Sequence, residues 1–226
     1  MRYVTLAVLL AFTACATAEK KPVAAAPAQA APAKAEPAKA EPAKADAAGK
    51  YAAVEFASAE ATKMGGLVGD TKYSEKPDDA AINKKEFADG VVTYSGQVGF
   101  GKGSQWAGIG MSVNIQPEGK PMNAKAYKSV TFKLASATTG ALRLRIIGSE
   151  EKIRTAGCYP IYMQPVTKDL TEYTINVGKF APESWCAAQS RTADGTITEL
   201  VGFEIVDIAL KKAPTAFSIG SITLNP

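Results

Sequence analysis

The chain has no histidine among its 226 residues. Without an imidazole base, neither a Ser-His-Asp nor a Cys-His nucleophile system can be assembled. Histidine-ligated zinc and haem are excluded with them. Cysteine is almost as scarce, at three residues, and tryptophan scarcer still, at two. Long apolar runs are missing too: residues 3–12 form one, and it is too short to cross a bilayer as a helix. Carboxylate-pair hydrolysis would need two acids at a fixed separation, and no acidic pair stands out from ordinary surface charge. A non-catalytic role is therefore expected.

An excess of one charge is also absent from most of the chain. The whole sequence carries 26 basic and 22 acidic side chains, a formal net charge of +4. Arg2, six lysines and four acids fall within the first 50 residues, which leaves 19 basic and 18 acidic groups beyond them. The remainder is near neutral, with no basic stripe to meet a phosphate backbone, so nucleic acid is not an expected partner.

Residues 1–14 read as an export signal: Arg2, an apolar stretch, then Thr13 and Ala14 ahead of Cys15. "FTAC" resembles the lipobox of bacterial lipoproteins, with Phe12 standing where leucine is usual. That resemblance implies a lipidated Cys15 at the mature N-terminus, held by acyl chains that each contribute about 0.8 kcal/mol per buried methylene. With Ala16 where an aspartate is associated with inner-membrane retention, the resemblance implies the outer membrane. The alternative is a plain secretory signal cut near "ATA". Residues 15–50 are mostly Ala, Pro, Lys and Glu, with "AKAEP" and "AKAD" echoing one another. Such a segment buries little apolar area and its prolines interrupt helices. It reads as a tether, rising about 3.1 Å per residue where it is extended and reaching on the order of 100 Å.

Residues 51–226 change to short β-rich runs separated by Gly, Pro, Asn, Asp and Ser. Strands are expected at 51–56, 91–99, 106–116, 129–135, 142–147, 159–164, 172–177, 200–206 and 216–224, with helical turns around 78–87 and 207–212. Nine strands without a repeated βα unit predict an all-β antiparallel sandwich. Period-two alternation assigns faces. Ala107, Ile109, Met111, Val113 and Ile115 point inward, as do Val130, Phe132, Leu134, Leu142, Leu144 and Ile146. Thr131, Lys133, Arg143 and Arg145 are left outside. Cys158 and Cys186, in an exported chain, are expected to form a disulfide worth about 3 kcal/mol in the loop-entropy model, against two separately buried thiols.

"VEFASAEATKMGGLVGD", "VTYSGQVGFGKGSQWAGIGMSVN", "AYKSVTFKLAS" and "FSIGSITL", in that order, resemble galactose-binding-like jelly rolls. The pattern is most similar to family 11 carbohydrate-binding modules and to the domain of the complex I intermediate-associated protein 30. The resemblance covers nearly all of 51–226 and implies a jelly roll, but its landmarks are core and turn positions. Relatives with a structural calcium often carry an aspartate in the closing strand, where this chain has Gly220. Glu55 and Asp70 are the remaining candidate ligands, where a site needs six to eight oxygens; no cofactor is expected, with a structural calcium as the alternative.

Trp106 stands on the polar side of its strand's alternation, beside Gly108, Gly110 and Ser112. It is either an apolar platform for the C–H face of a pyranose or an end cap folded over the core. The glycines beside it either leave room for a ligand or mark a close crossing by a loop. Arg143 and Arg145 are either hydroxyl-binding groups or solvated residues that deter edge pairing. Trp185, in "PESWC", either joins the platform or packs on the disulfide. With Tyr162 and Gln164 these form the candidate ligand-binding set. The expectation is an outer-membrane lipoprotein, facing the periplasm or the cell surface, whose sandwich binds polysaccharide or cell-wall glycan. The alternatives are a protein-interaction or assembly factor, predicting an exposed apolar patch, and a hydrolase or lyase using acids and arginines.

Overall fold

A computed structural model describes residues 52–99, 101–186, 188–210 and 214–226. The export segment, Cys15 and the tether lie outside the described residues.

Among the described residues, eleven strands form two antiparallel sheets. They are β1 (Ala52–Val54), β2 (Val68–Ser74), β3 (Ala80–Ala88), β4 (Val91–Val98), β5 (Ala107–Asn114), β6 (Ser129–Ser136), β7 (Ala141–Gly148), β8 (Ile161–Pro165), β9 (Thr171–Asn176), β10 (Leu200–Asp207) and β11 (Thr215–Asn225). Sheet I runs β3-β4-β11-β6-β9, with β1 paired along the C-terminal half of β11; sheet II runs β2-β5-β10-β7-β8. From β4 onward the chain crosses between sheets so that β4-β11-β6-β9 faces β5-β10-β7-β8. That order is the eight-stranded jelly roll, and β2 and β3 extend one edge of each sheet.

Alternation explains the core. β4 is buried at every second residue, and Val92, Tyr94 and Val98 join Val130, Phe132 and Leu134 of β6 in one layer. Ile109, Met111 and Val113 of β5 and Leu142, Leu144 and Ile146 of β7 supply the facing layer. Phe132 meets Phe203 edge-on across the sandwich at 5.4 Å, and Tyr94 stacks on Phe217 at 5.5 Å. Fully burying such a ring contributes about 2 to 3 kcal/mol.

The expected helical turn at 78–87 is corrected, and of the one at 207–212 only residues 207–210 are described. Residues 78–87 fall largely in β3, paired with β4 through a two-residue turn. Asp89 and Gly90 hold positive φ, 51° and 75°, as the favoured hairpin turn demands. In the second case Asp207 ends β10 and residues 208–210 are irregular, while 211–213 lie outside the described residues. The buried Asp207 carboxylate accepts from the Ala209 N–H at 2.9 Å and from the Thr215 hydroxyl, turning the chain toward β11. Strand β2 and the short helices α1 (Glu151–Ala156) and α2 (Ala193–Ile197) went unpredicted. In β2 only Val68 is fully buried, so its alternation is weak.

The candidate calcium ligands do not come together. Glu55 pairs with Lys63 at 2.6 Å, and Asp70 pairs with Lys85 at 2.9 Å while accepting from the Tyr94 hydroxyl at 3.0 Å. At Gly220 a Cβ would lie 3.1 Å from the Lys133 side chain. Among the described residues no three acidic, thiol or imidazole groups gather at a common point.

Candidate functional site

The outer face of sheet II is built from outward-pointing positions in register. Tyr73 on β2 lies opposite Gly108 on β5. On β10, Val206 lies between Gly110 and Arg143, and Glu204 between Ser112 and Arg145. The glycines do not leave empty ligand space. A Cβ on Gly108 would meet the Tyr73 ring at 2.8 Å and Val206 at 2.7 Å; one on Gly110 would lie 2.1 Å from the Ile205 carbonyl oxygen. The bare positions let Tyr73 lie across the strand and reach Arg143. The Arg143 guanidinium sits 5.4 Å over the Tyr73 ring, and its Nη2 donates to the phenol oxygen. Burial raises the Tyr73 pKa above its ordinary value, opposed by the Arg143 charge.

Arg143 and Arg145 are expected on an outer face, either to bind hydroxyls or as solvated residues. They do point outward, yet they are only 8% and 7% exposed. Tyr73 and the turn carrying Glu183 line the same hollow with them. Their charges persist under this cover because carboxylates meet them. Glu204 Oε1 accepts from Arg145 Nη1 at 2.8 Å and from Arg143 Nη2 at 3.4 Å. Glu183 contacts Arg145 Nη2 at 3.4 Å and Arg143 Nη1 at 3.9 Å. The result is a neutral quartet of two guanidinium and two carboxylate groups, in which the buried Nε–H of each arginine has no acceptor.

Over this floor lies a cavity of about 760 Å³, lined by Tyr73, Trp106, Arg143, Arg145, Thr155–Gly157, Glu183 and Trp185. Its size suits a ligand of a few rings. Trp106 immediately precedes β5, where Glu75 N–H donates to its carbonyl at 3.0 Å. Glu75 Oε2 in turn accepts from Gln105 N–H at 2.7 Å. The indole is 54% exposed and its ring lies 6.2 Å from that of Tyr73. It stands at the surface and is not folded over the core as an end cap.

The opposite wall is cross-linked. Cys158 and Cys186 form a disulfide with Cα atoms 5.3 Å apart. Thr155–Gly157 lead into the first cysteine, and Glu183 and Trp185 precede the second. Gly157, in the left-handed conformation at φ 68°, ends α1 and donates to the Arg154 carbonyl at 3.0 Å. Ile153, Cys158, Tyr159 and Cys186 form a small apolar cluster apart from the main core. Trp185 does not collapse onto the disulfide; it is 67% exposed.

Of the six expected ligand-binding residues, Trp106, Arg143, Arg145 and Trp185 share this cavity. Tyr162 and Gln164 do not. On β8 they pair with Leu144 and Leu142, which places them on the inner face. Tyr162 packs against the core 5.9 Å from Phe180, and Gln164 is buried and donates to the Pro165 carbonyl. Met163 takes the outward position opposite Arg143 instead. Tyr73, Glu183 and Glu204 were missed. For Glu204 the signal existed, since "FEIV" sets it between the inward Phe203 and Ile205.

The chain matches no protein-family model and no curated protein. Solved structures are similar to it. One is the family 11 carbohydrate-binding module from Clostridium thermocellum in complex with a β-1,3-1,4-mixed-linked tetrasaccharide. It is 13% identical at TM-score 0.49, over 70% of this chain and 88% of that one. A family 30 carbohydrate-binding module is 12% identical at TM-score 0.47, over 77% and 88%. A family 4 module is 11% identical at TM-score 0.41, over 71% and 86%.

Proposed function

We propose that the domain is a non-catalytic polysaccharide-binding module. The observation that carries this reading is the pair of exposed indoles, Trp106 and Trp185, lining one cavity floored by paired arginines and a phenol. Indole faces stack on the apolar C–H faces of sugar rings, and the polar floor offers fixed hydrogen-bonding groups to hydroxyls. The solved modules to which the chain is similar carry carbohydrate binding in their names, one with a tetrasaccharide bound, which agrees with this chemistry. Glu183, the carboxylate among the cavity's lining residues, is engaged together with Glu204 as a counterion of the same two guanidinium groups, an arrangement for holding a ligand instead of transferring a proton to it.

The test is affinity electrophoresis and glycan-array binding by the full chain. Trp106→Ala or Trp185→Ala is expected to weaken binding by about 2 kcal/mol, some thirtyfold, with little change in melting temperature. A large fall in melting temperature would return the indole to a structural role, and no retardation by any polysaccharide would overturn the reading.

The same proposal places the module at the outer membrane on a lipidated Cys15, with residues 15–50 as the tether. Incorporation of a palmitate analogue, lost in Cys15→Ser, is the expected result; equal labelling of the variant would remove the anchor from the proposal.

A further inference from the structure

We infer that the glycan taken by this cavity carries a carboxylate, as a uronic acid residue does, and that this carboxylate takes the place of Glu183 beside the two arginines. This rests on the polysaccharide-binding reading and adds the ligand's charge to it.

The two glutamates of the quartet are held very differently. Glu204 belongs to β10, in the middle of sheet II, and closes on Arg145 at 2.8 Å. Glu183 comes from the turn before Cys186, and its contacts with the same arginines are 3.4 and 3.9 Å. The longer of these exceeds hydrogen-bond range. Its side chain is 23% exposed, against 14% for Glu204. The strand therefore supplies one counterion tightly and the loop supplies the other loosely.

The arginines are also short of acceptors. Both Nε–H groups are buried without a partner, whereas buried donors are ordinarily satisfied. A guanidinium presents its donors as a planar fork that matches two carboxylate oxygens at once. Glu183 does not make that match. The Nε–H groups are closed to the cavity, but a carboxylate free to approach from it could engage the Nη ends that Glu183 contacts more fully than a side chain fixed to a turn.

Charge arithmetic then selects the ligand. The quartet is neutral as it stands, so an anion added to it would meet both glutamates. An anion that replaces Glu183 leaves the count unchanged and releases Glu183 to water. A neutral sugar gains nothing from that exchange. Trp185 is two residues from Glu183 on the same turn, so the exchange is linked to one of the two stacking rings.

The experiment uses the full chain on an array that sets uronate-containing oligosaccharides of pectic, alginate and glucuronoxylan type beside neutral gluco-, xylo- and galacto-oligosaccharides. Hits are then titrated by calorimetry as the free acid and as the methyl ester. The free acid is expected to bind about tenfold tighter than its ester, the difference of a charge-assisted hydrogen bond, and to weaken as salt rises. Glu183→Gln removes the internal competitor and is expected to strengthen the uronate about tenfold while leaving neutral sugars no tighter. Equal or tighter binding of neutral glycans overturns the carboxylate inference and leaves the polysaccharide reading standing. No binding to any glycan overturns both. Should Glu183→Gln fail to fold, the acid-to-ester ratio and the salt dependence of the unaltered chain decide alone.

Discussion

The outer faces of the two sheets obey the same alternation and end in opposite conditions. On sheet I the outward residues stay at the solvent boundary and bond sideways. Thr131 and Thr174 hydroxyls meet at 2.7 Å, Thr93 and Ser218 at 2.9 Å, and Asn225 donates to Thr131 at 2.9 Å. A cavity of about 600 Å³ beside Lys133 and Gly220 has no tryptophan in its lining. On sheet II the outward Arg143 and Arg145 are buried, and two indoles stand over them. The strands do not make this difference. It comes from what crosses above them: Tyr73 lying over Gly108, and the disulfide-linked turns at Gly157 and Trp185. Period two settles which way a side chain points, and the connections between strands settle whether water reaches it.

The largest effect should come from removing one cation of the covered face. Arg145→Ala strips Glu204 of its 2.8 Å partner and leaves a mostly buried carboxylate short of countercharge. Losing one side of a buried ion pair costs about 3 to 5 kcal/mol, to be read as a shift in the urea midpoint of the full chain. A loss below about 1 kcal/mol would mean that the quartet is solvated like sheet I. Next comes the cross-link. Cys158→Ser with Cys186→Ser is expected to cost about 3 kcal/mol in the loop-entropy model and to abolish glycan retardation. The main core does not include these cysteines, so a folded jelly roll should survive below its new midpoint. Retained binding in the double variant would show that the wall stands without its bridge.

The sandwich was legible in the sequence because its core strands alternate strongly: "SVTFKLA" and "LRLRI" each expose one apolar row. β3 was hidden because "NKKEFA" carries little apolar alternation, and the Asp89-Gly90 hairpin signal went unused. The candidate site was legible in part. Trp106 stood out by breaking parity, and the disulfide followed from cysteine counting. The burial of Arg143 and Arg145 was not, since it depends on a turn 38 residues beyond Arg145, a long-range contact that leaves no local pattern. Tyr162 and Gln164 were misplaced because matching parity within "YPIYMQ" does not say which face that parity serves; only the register with Leu142 and Leu144 does.

Alkaline titration compares the faces from another direction. Burial raises the pKa of Tyr73, on the outer side of sheet II, and of Tyr94, in the core of sheet I, where the hydrogen bond to Asp70 adds to the rise. The folded state thus holds these protons more tightly than the unfolded chain does. Their stabilisation is complete below about pH 10 and is lost as pH rises through the folded values. Melting temperature should fall progressively above about pH 10, and Tyr73→Phe should remove only its own share of the slope. A melting temperature flat to higher pH would mean that neither phenol is shielded as described.

The smallest effect belongs to sheet I. Lys133 occupies a position on β6 like that of Arg145 on β7: an outward cation flanked by inward residues, Phe132 and Leu134 in the one case, Leu144 and Ile146 in the other. Its stem lies beside Gly220, and Glu172 across the β6–β9 ladder makes no ion pair with it. Lys133 is half-buried and no ion pair among the described residues holds its charge, so Lys133→Ala should change stability by no more than about 0.5 kcal/mol and leave glycan affinity unaltered. A cost approaching that of Arg145→Ala would show that outward cations on both sheets are structural, and the contrast between a covered and an open face would no longer single out sheet II as the binding surface.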